Sequence, residues 1–189
     1  MNTPSHIIIT AALGKRWPHL WPWRGAALWG SLAPDIPLYL LTLGGVVYYH
    51  MVLGWELRQT LQHLFHTLFF QDPGWIAAHN ALHSPTLLGI LGLITWQLRY
   101  RFAKTATWLL TFLASCGLHT LIDILVHTDD GPLLFFPFEW TIRFRSPISY
   151  WDPRYYGDEF AWFEWGLVLV LLTYLARGWL GRKGADRVG

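Results

Sequence analysis

The chain has 189 residues, of which 53% are hydrophobic and only 14% are charged, whereas a soluble domain carries about a quarter charged residues. Its 13 Trp residues are typical of side chains at bilayer interfaces. A net charge of +2 is too small to indicate nucleic-acid binding, and one Cys excludes a disulfide framework and a cysteine-based zinc site. The composition therefore predicts an integral membrane protein, with one domain over residues 1–189.

Residues 1–14 are predicted to form a short apolar helix, with Thr3 or Ser5 as its cap and Gly14 as its stop. His6 then lies in the first turn. A lone histidine there is usually structural, so we regard His6 as a metal ligand only if the fold brings it to other ligands. The following segment, 15–24, combines basic residues with three Trp and two Pro, which indicates an interfacial loop.

Residues 25–50 form the first long apolar segment, which is interrupted by the sequence Pro-Asp-Ile-Pro at 34–37. Two prolines around an acid disfavour a continuous helix. Irregular backbone at membrane depth is tolerated only where protein buries it or where it lines a cavity. Asp35 is therefore a candidate functional residue, and a helix cap in a turn is the equal alternative.

Residues 51–72 are predicted to form an amphipathic helix that can lie along the membrane surface. Its apolar stripe comprises Leu57, Leu61, Leu64 and Leu68. His63 and His66 fall mostly off this stripe and are interpreted as polar-face residues.

His79 and His83 are four residues apart, immediately before an apolar run at 86–98. Two such histidines can reach one metal ion from the same helix face, and a hydrated pair at the membrane interface is the alternative. We expect Ser84 to cap the helix that begins with Pro85 in its first turn.

A second long apolar run, 105–126, ends with His119, Asp123 and His127 at four-residue intervals. Residues four apart lie on one helix face. Imidazole and carboxylate groups on that face are unfavourable in a membrane unless they have partners. A divalent metal ion is the partner that satisfies all of them. Because a short basic turn joins this helix to the preceding one, the two helices should be antiparallel, so His79 and His83 would meet His119 and Asp123.

Residues 131–160 are rich in Pro, Gly and aromatic residues and predict a long loop, before a final apolar span at 161–180 and a basic tail. The positive-inside rule places the basic turn at 99–104 and the C-terminus in the cytoplasm. The basic segment 15–24 favours the same side, which conflicts with His6 reaching a site at the opposite side. Overall, the sequence predicts an all-α, multi-pass membrane bundle of about four apolar segments plus short interfacial helices.

Several motifs occur together in order: TPSHIII, GSLAPDIP, the His-Ser pair at 83–84 and HTLIDILVHTDDGPLLFFP. This set resembles the membrane-bound metal-dependent hydrolases of the bacterial inner membrane. That family is similar in motif order to the zinc-dependent phospholipases C. The resemblance implies that Asp35, His83, His119 and Asp123 are metal ligands, with His6 as a further candidate. That family commonly has a His-Arg-Gly opening before its His-Ser pair, whereas this chain has His79-Asn80-Ala81-Leu82; we keep His79 in the predicted ligand set.

The expected function is a metal-dependent hydrolase that holds one or more ions, Zn first among them, and cleaves a phosphoester such as that of a lipid. Asp35 is the candidate for taking the proton of a metal-activated water, with His127 beside it in a catalytic role. Arg143 and Arg145 are candidates for receiving a phosphate, with lipid anchoring as their alternative. Membrane lipid is the expected partner, and no nucleic acid is expected.

Two alternatives to the hydrolase remain at this point. In one, a metal ion staples the helices or regulates a partner without catalysis. In the other, His83 and His119 hold a haem. The carboxylates between the histidines favour a harder ion than haem iron requires.

Overall fold

The computed structural model describes residues 1–185, with side chains described as far as residue 177. The helices are α1 (Thr3–Arg16), α2 (Arg24–Leu32), α3 (Ile36–Gly45), α4 (Leu57–Gln62), α5 (Phe69–Gln71), α6 (Pro73–Asn80), α7 (Pro85–Leu98), α8 (Ala103–Val126) and α9 (Gly157–Ala185). Two π-helical stretches, Val46–Val52 and His63–Leu68, continue α3 and α4. Within the described residues, β structure is limited to an isolated bridge between Leu133 and Arg143. The predicted all-α membrane fold is confirmed.

Two helices are long and apolar enough to cross a membrane, namely α8 and the Gly157–Arg177 part of α9. A third crossing is available if α2 and the helix Ile36–Val52 act as one span, bent by 41°. The apolar α7 has 14 residues and is therefore only about 21 Å long. These helices correspond to the predicted apolar segments, and the bend falls at the Pro-Asp-Ile-Pro sequence.

Helix α8 is central to the bundle, and α2 packs closely against it. A Cβ atom placed on Gly30 would lie 2.3 Å from the carbonyl oxygen of Phe112, so only glycine permits this approach. Ser115 donates a hydrogen bond of 2.6 Å from its hydroxyl to the carbonyl of Ala27. Small residues at such contacts are the usual means by which membrane helices come together. This packing fixes the end of α2, and hence Asp35, beside α8.

The predicted antiparallel packing of α7 and α8 is confirmed, and α1 packs between α2 and α9. Helix α1 places His6 near one end and Lys15 and Arg16 at the other, about 15 Å apart along the axis. At the basic end, the amino group of Lys104 lies 5.8 Å from the ring of Trp23. The conflict foreseen from the charge pattern therefore does not arise, since both basic segments share one end and His6 lies at the other.

Two predicted helix boundaries were wrong. Asn2, rather than Thr3 or Ser5, precedes the first turn of α1, and the helix continues through Gly14 to Arg16. A glycine inside a helix costs only about 1 kcal/mol, which packing against α2 and α9 offsets.

The helix predicted for 51–72 is instead the second arm of a helical hairpin, residues 36–71. Its first arm is α3 with the following π-helical stretch, and the chain reverses at Gly54, whose φ is +72°. The predicted leucine stripe is only half correct, because Leu64 is fully buried while Leu57 and Leu61 are exposed. Leu64 packs with Phe69 and Trp75 to form the small core of this hairpin.

The long loop between α8 and α9 is fastened to the start of α7. The side-chain oxygen of Asn80 accepts a 2.8 Å hydrogen bond from the Leu133 amide. The hydroxyl of Ser84 donates to the Phe136 carbonyl at 2.9 Å, and that of Thr86 donates to the Leu134 carbonyl at 2.7 Å. Ser84 also accepts from the Leu87 amide, so the predicted cap of α7 is confirmed.

Candidate metal centre

Four side chains from three parts of the fold converge at one end of the bundle. Asp35 comes from the turn between α2 and α3, and His83 from the link between α6 and α7. His119 and Asp123 lie one turn apart on α8. Each offers one ligand atom, and these atoms all lie within 4.8 Å of one another. His83 and His119 are each 1% exposed and Asp123 is 4% exposed, so this group could hold a metal ion.

The distances within the group fit one small ion. The Nε2 atoms of His83 and His119 are 3.1 Å apart. Oδ2 of Asp123 lies 3.0 Å from His119 Nε2 and 3.5 Å from His83 Nε2. Oδ1 of Asp35 lies 3.4 and 3.5 Å from the same two nitrogens. Tetrahedral coordination with ligand bonds of about 2.0–2.2 Å separates neighbouring ligand atoms by about 3.3–3.6 Å.

Backbone carbonyls determine the orientation of both imidazole rings. Nδ1 of His119 hydrogen bonds with the carbonyl of Ser31 at 2.8 Å, and Nδ1 of His83 with the carbonyl of His79 at 3.0 Å. Because a carbonyl only accepts, each Nδ1 carries the hydrogen, and a neutral ring then has its lone pair on Nε2. Histidines that bind metals are usually oriented by such a bond to a carbonyl or a carboxylate.

In the group of four, hydrogen-bond acceptors therefore face one another with no hydrogen between them. Two Nε2 lone pairs and two carboxylates surround the same point, and neutral imidazoles in these tautomers offer no hydrogen to share there. Buried arrangements of this kind are unstable unless a cation compensates them. The donor set and its spacing both match a divalent ion.

His6 reaches the site but lies outside this group of four. Its Nε2 is 3.0 Å from Oδ1 of Asp123, the oxygen that does not face His83 and His119. Its ring stacks on that of His119, with centroids 3.7 Å apart. The amino group of Met1 also contacts Asp123 Oδ1, at 2.8 Å. His6 therefore orients Asp123 and covers His119, and direct metal ligation by His6 remains a prediction.

His79 is beside the group rather than in it. Its ring packs on His83 and on Phe69, with centroids 4.5 and 5.0 Å away, and its carbonyl holds Nδ1 of His83. Because α6 ends at Asn80, His79 and His83 do not share one helix face, which was the basis for predicting them as a ligand pair. The structure brings the side chain of His83, and not that of His79, among the four.

The two histidines also differ in their electrostatics. Burial lowers the pKa of His79 well below its ordinary value, so His79 is neutral. Burial alone would also lower the pKa of His83, but hydrogen bonds with Asp123 and Asp35 outweigh it and raise the pKa. The carboxylates thus favour a positive charge beside His83, whether that charge is a proton or a metal ion.

The site opens onto a cavity of about 690 Å³. Asp35, His83 and Asp123 line its floor, together with His127. Nδ1 of His127 lies 2.8 Å from the Asp123 carbonyl, which places the hydrogen on Nδ1 and leaves Nε2 as the acceptor. His127 is 3.8 Å from Oδ1 of Asp123, so it adjoins the group of four without joining it.

The walls of the cavity differ in character. Tyr39, Phe65 and Phe70 of the helical hairpin form an apolar wall. The loop after α8 supplies a polar wall that includes Asp130 and Arg154. Three members of the group of four line the same cavity as these two walls, which suits a molecule with an apolar end and a polar end.

The candidate phosphate-binding arginine differs from those predicted. Arg143 donates to the Gly131 carbonyl and lies against Phe69 and Phe70, and Arg145 pairs with Asp129 at 3.1 Å. The arginine on the cavity wall is Arg154, whose guanidinium is held by Asp152 at 2.6 Å. The sequence signal was the run Asp152-Pro153-Arg154, in which Asp152 caps a tight turn by accepting from the Arg154 amide.

A family model described as YdjM inner membrane protein matches residues 1–184. Searches of curated proteins and of solved structures gave no significant match. The apolar helices and this match agree in making the chain a membrane protein of the inner membrane, as predicted. Because the match covers nearly the whole sequence, the chain belongs to the YdjM inner membrane protein family.

Proposed function

We propose that the protein is a membrane-embedded, metal-dependent hydrolase that cleaves a phosphoester of a lipid. The observation that carries this proposal is the group of four side chains, in which two imidazole Nε2 atoms and two carboxylates surround one point on the floor of a cavity. Four donors close enough to share one ion, with both imidazoles oriented by carbonyls, support a metal site. The cavity gives a substrate access to that site.

Zinc is the metal that this donor set suits best, since two imidazoles and two carboxylates provide borderline and hard ligands in tetrahedral geometry. When bound, such an ion lowers the pKa of a coordinated water to about 7 and polarises a phosphoryl oxygen.

Asp35 is the residue that would take the proton of the attacking water. It is the most accessible of the four, with its side chain 15% exposed compared with 6% for Asp123. One of its oxygens faces His83 and His119, and the other accepts a hydrogen bond from the Thr3 hydroxyl. A carboxylate that belongs to the group of four and also lines the cavity is suited to general base catalysis.

His127 would deliver a proton to the leaving group. Its Nδ1 hydrogen is engaged by the Asp123 carbonyl, so the lone pair on Nε2 can receive the proton that Asp35 takes from the water and pass it to the leaving oxygen. Arg154 on the polar wall can hold the negative charge of a phosphate, and the apolar wall can hold a hydrocarbon chain.

A structural or regulatory metal site is the second candidate, and one observation favours it. The four ligands all come from the protein, and closed sites with four protein ligands are usually structural. Such an ion would tie the turn after α2 to α8 and to the start of α7. A haem between His83 and His119 does not fit, because Asp35 and Asp123 lie within 3.5 Å of both nitrogens, where a porphyrin would have to be.

The test begins with the metal content of protein purified without chelators, followed by turnover of a phospholipid and of a soluble phosphodiester. We expect at least one zinc ion per chain, and we expect Asp35→Ala to abolish turnover. Asp158→Ala changes an exposed carboxylate at the start of α9 and should leave both properties intact.

His127→Gln separates the two candidates. We expect this variant to retain its metal and to lose about 10²–10⁴-fold in turnover. Bound zinc with no turnover of either phosphoester would reject the hydrolase and favour the structural site. Protein that binds no divalent metal would reject both.

A further inference from the structure

The first arm of the helical hairpin is an apolar helix that packs on the second arm with one side and is exposed on the other. Neither α3 nor the following π-helical stretch contains a buried residue. Leu40, Leu43 and Met51 are among its exposed side chains, and Met51 is 72% exposed. No Asp, Glu, Lys or Arg occurs between residues 36 and 55. An exposed apolar surface of this extent requires an apolar surrounding.

The length of this arm limits how it can be accommodated together with α2 in a bilayer. From Arg24 to Val52, α2 and the first arm would measure about 43 Å if straight, against a hydrocarbon thickness of about 30 Å. The excess must be taken up by bending or tilting. The observed bend of 41° lies at the Pro-Asp-Ile-Pro turn, which also carries Asp35, so the first arm begins at the level of the group of four.

The second arm has the two-sided character of a helix at a membrane surface. Arg58, Gln59 and Gln62 are exposed and polar, whereas Leu57 and Leu61 are exposed and apolar. Helices with this distribution lie with one side toward headgroups and the other toward acyl chains.

The apolar surface of the hairpin continues into the cavity. Tyr39 on the first arm and Phe65 and Phe70 on the second are exposed on the hairpin and also line the cavity. A hydrocarbon chain that lies along the hairpin can therefore contact these aromatic side chains as far as the cavity wall.

We infer that the hairpin, residues 36–71, is inserted in the bilayer interface with its first arm among the acyl chains, and that it guides a membrane lipid sideways into the cavity. The insertion stands on the exposed apolar surface alone. The delivery of substrate rests on the proposed function.

The insertion can be tested with cysteine variants, since the single native Cys116 is buried. Leu43→Cys and Met51→Cys probe the first arm, and Gln62→Cys is the matched control on the polar side of the second arm. Each variant is labelled with an environment-sensitive fluorophore in phosphatidylcholine vesicles, with or without lipids brominated on the acyl chain.

We expect brominated lipid to quench labels at residues 43 and 51 several-fold more than the label at residue 62, and aqueous iodide to show the reverse order. Iodide quenching of residues 43 and 51 equal to that of residue 62, without bromine quenching, would overturn the insertion.

The delivery step is tested by Leu43→Lys combined with Met51→Lys. A lysine resists placement among acyl chains, so turnover of a long-chain phospholipid in vesicles should fall roughly tenfold more than turnover of a short, soluble phosphodiester. Equal losses for the two substrates would overturn delivery by the hairpin. If neither substrate is cleaved by the unaltered protein, the proposed function and the delivery step fail together, whereas the quenching result still decides the insertion.

Discussion

The helices on the two sides of Asp35 are both apolar, yet they have opposite environments. Helix α2 buries Ala26, Ala27, Gly30 and Ser31, whereas α3 buries nothing. The difference lies in side-chain size. Small residues allow α2 to approach α8 closely, whereas α3 exposes large apolar side chains such as Leu40 and Leu43. The buried interior at this level is polar and the exposed exterior is apolar, which is the reverse of a soluble protein.

The largest expected effect comes from the polar interior. Asp123→Asn removes a charged ligand that faces both His83 and His119. Metal affinity should fall by at least about a hundredfold, since removal of groups that only orient ligands already costs 10–100-fold. Isothermal titration with zinc measures this, with Asp158→Asn as the control. Unchanged affinity would mean that the four side chains do not hold the ion.

The next effect contrasts buried and exposed leucines of the same hairpin. Leu64→Ala removes a fully buried side chain from the hairpin core and should lower the free energy of unfolding by about 2–5 kcal/mol. Leu40→Ala, on the exposed side, should change it by less than about 0.5 kcal/mol. Thermal unfolding in detergent compares the two, and similar losses would show that the first arm is covered by protein.

A smaller effect tests why α2 is buried. Gly30→Ala places a methyl group against the Phe112 carbonyl and the Ser115 side chain. It should destabilise the protein by about 1–3 kcal/mol and weaken metal binding, because it moves Asp35 away from α8. Gly89→Ala meets nothing within 4 Å and should be neutral or slightly stabilising. Identical thermal unfolding of the two variants would contradict the close packing of α2.

The smallest effect concerns the polar wall of the cavity. Asn80→Ala leaves the buried Leu133 amide without its acceptor, which should cost about 1–3 kcal/mol and release the loop that follows α8. Limited proteolysis should then cut between residues 127 and 156 faster than in the unaltered protein. Gln71→Ala, an exposed change, serves as the control, and equal cleavage rates would show that Asn80 does not secure the loop.

Local spacing was sufficient to predict half of the group that forms the candidate metal centre. His119 and Asp123 fall on one face of a helix that their sequence specifies strongly, and Asp35 is marked by the prolines around it. The basic turn at 99–104 implied that α7 and α8 are antiparallel, and this brought His83 to the same level. These features depend on short-range sequence patterns and on the short turn that joins α7 to α8.

The remaining features depend on contacts between distant segments. Helix α6 ends at Asn80, where the Asn80 side chain bonds with the distant Leu133 amide, and the spacing of His79 and His83 reveals neither feature. The π-helical turns in the hairpin and the place of Arg154 on the cavity likewise follow from packing. Whether Leu57 and Leu61 are buried depends on what surrounds the hairpin, because both proteins and lipids accept an apolar helix face.

The carbonyls of Ser31 and His79 that orient the two imidazoles have a consequence for the evolution of the site. Their hydrogen bonds come from the main chain, so mutation of either residue does not delete the oxygen itself. At position 79 the side chain can vary while the orientation of His83 persists, provided that α6 still ends at the same place. Selection on the orientation of these ligands therefore acts on the path of the backbone, and related chains can preserve the site with different residues around it.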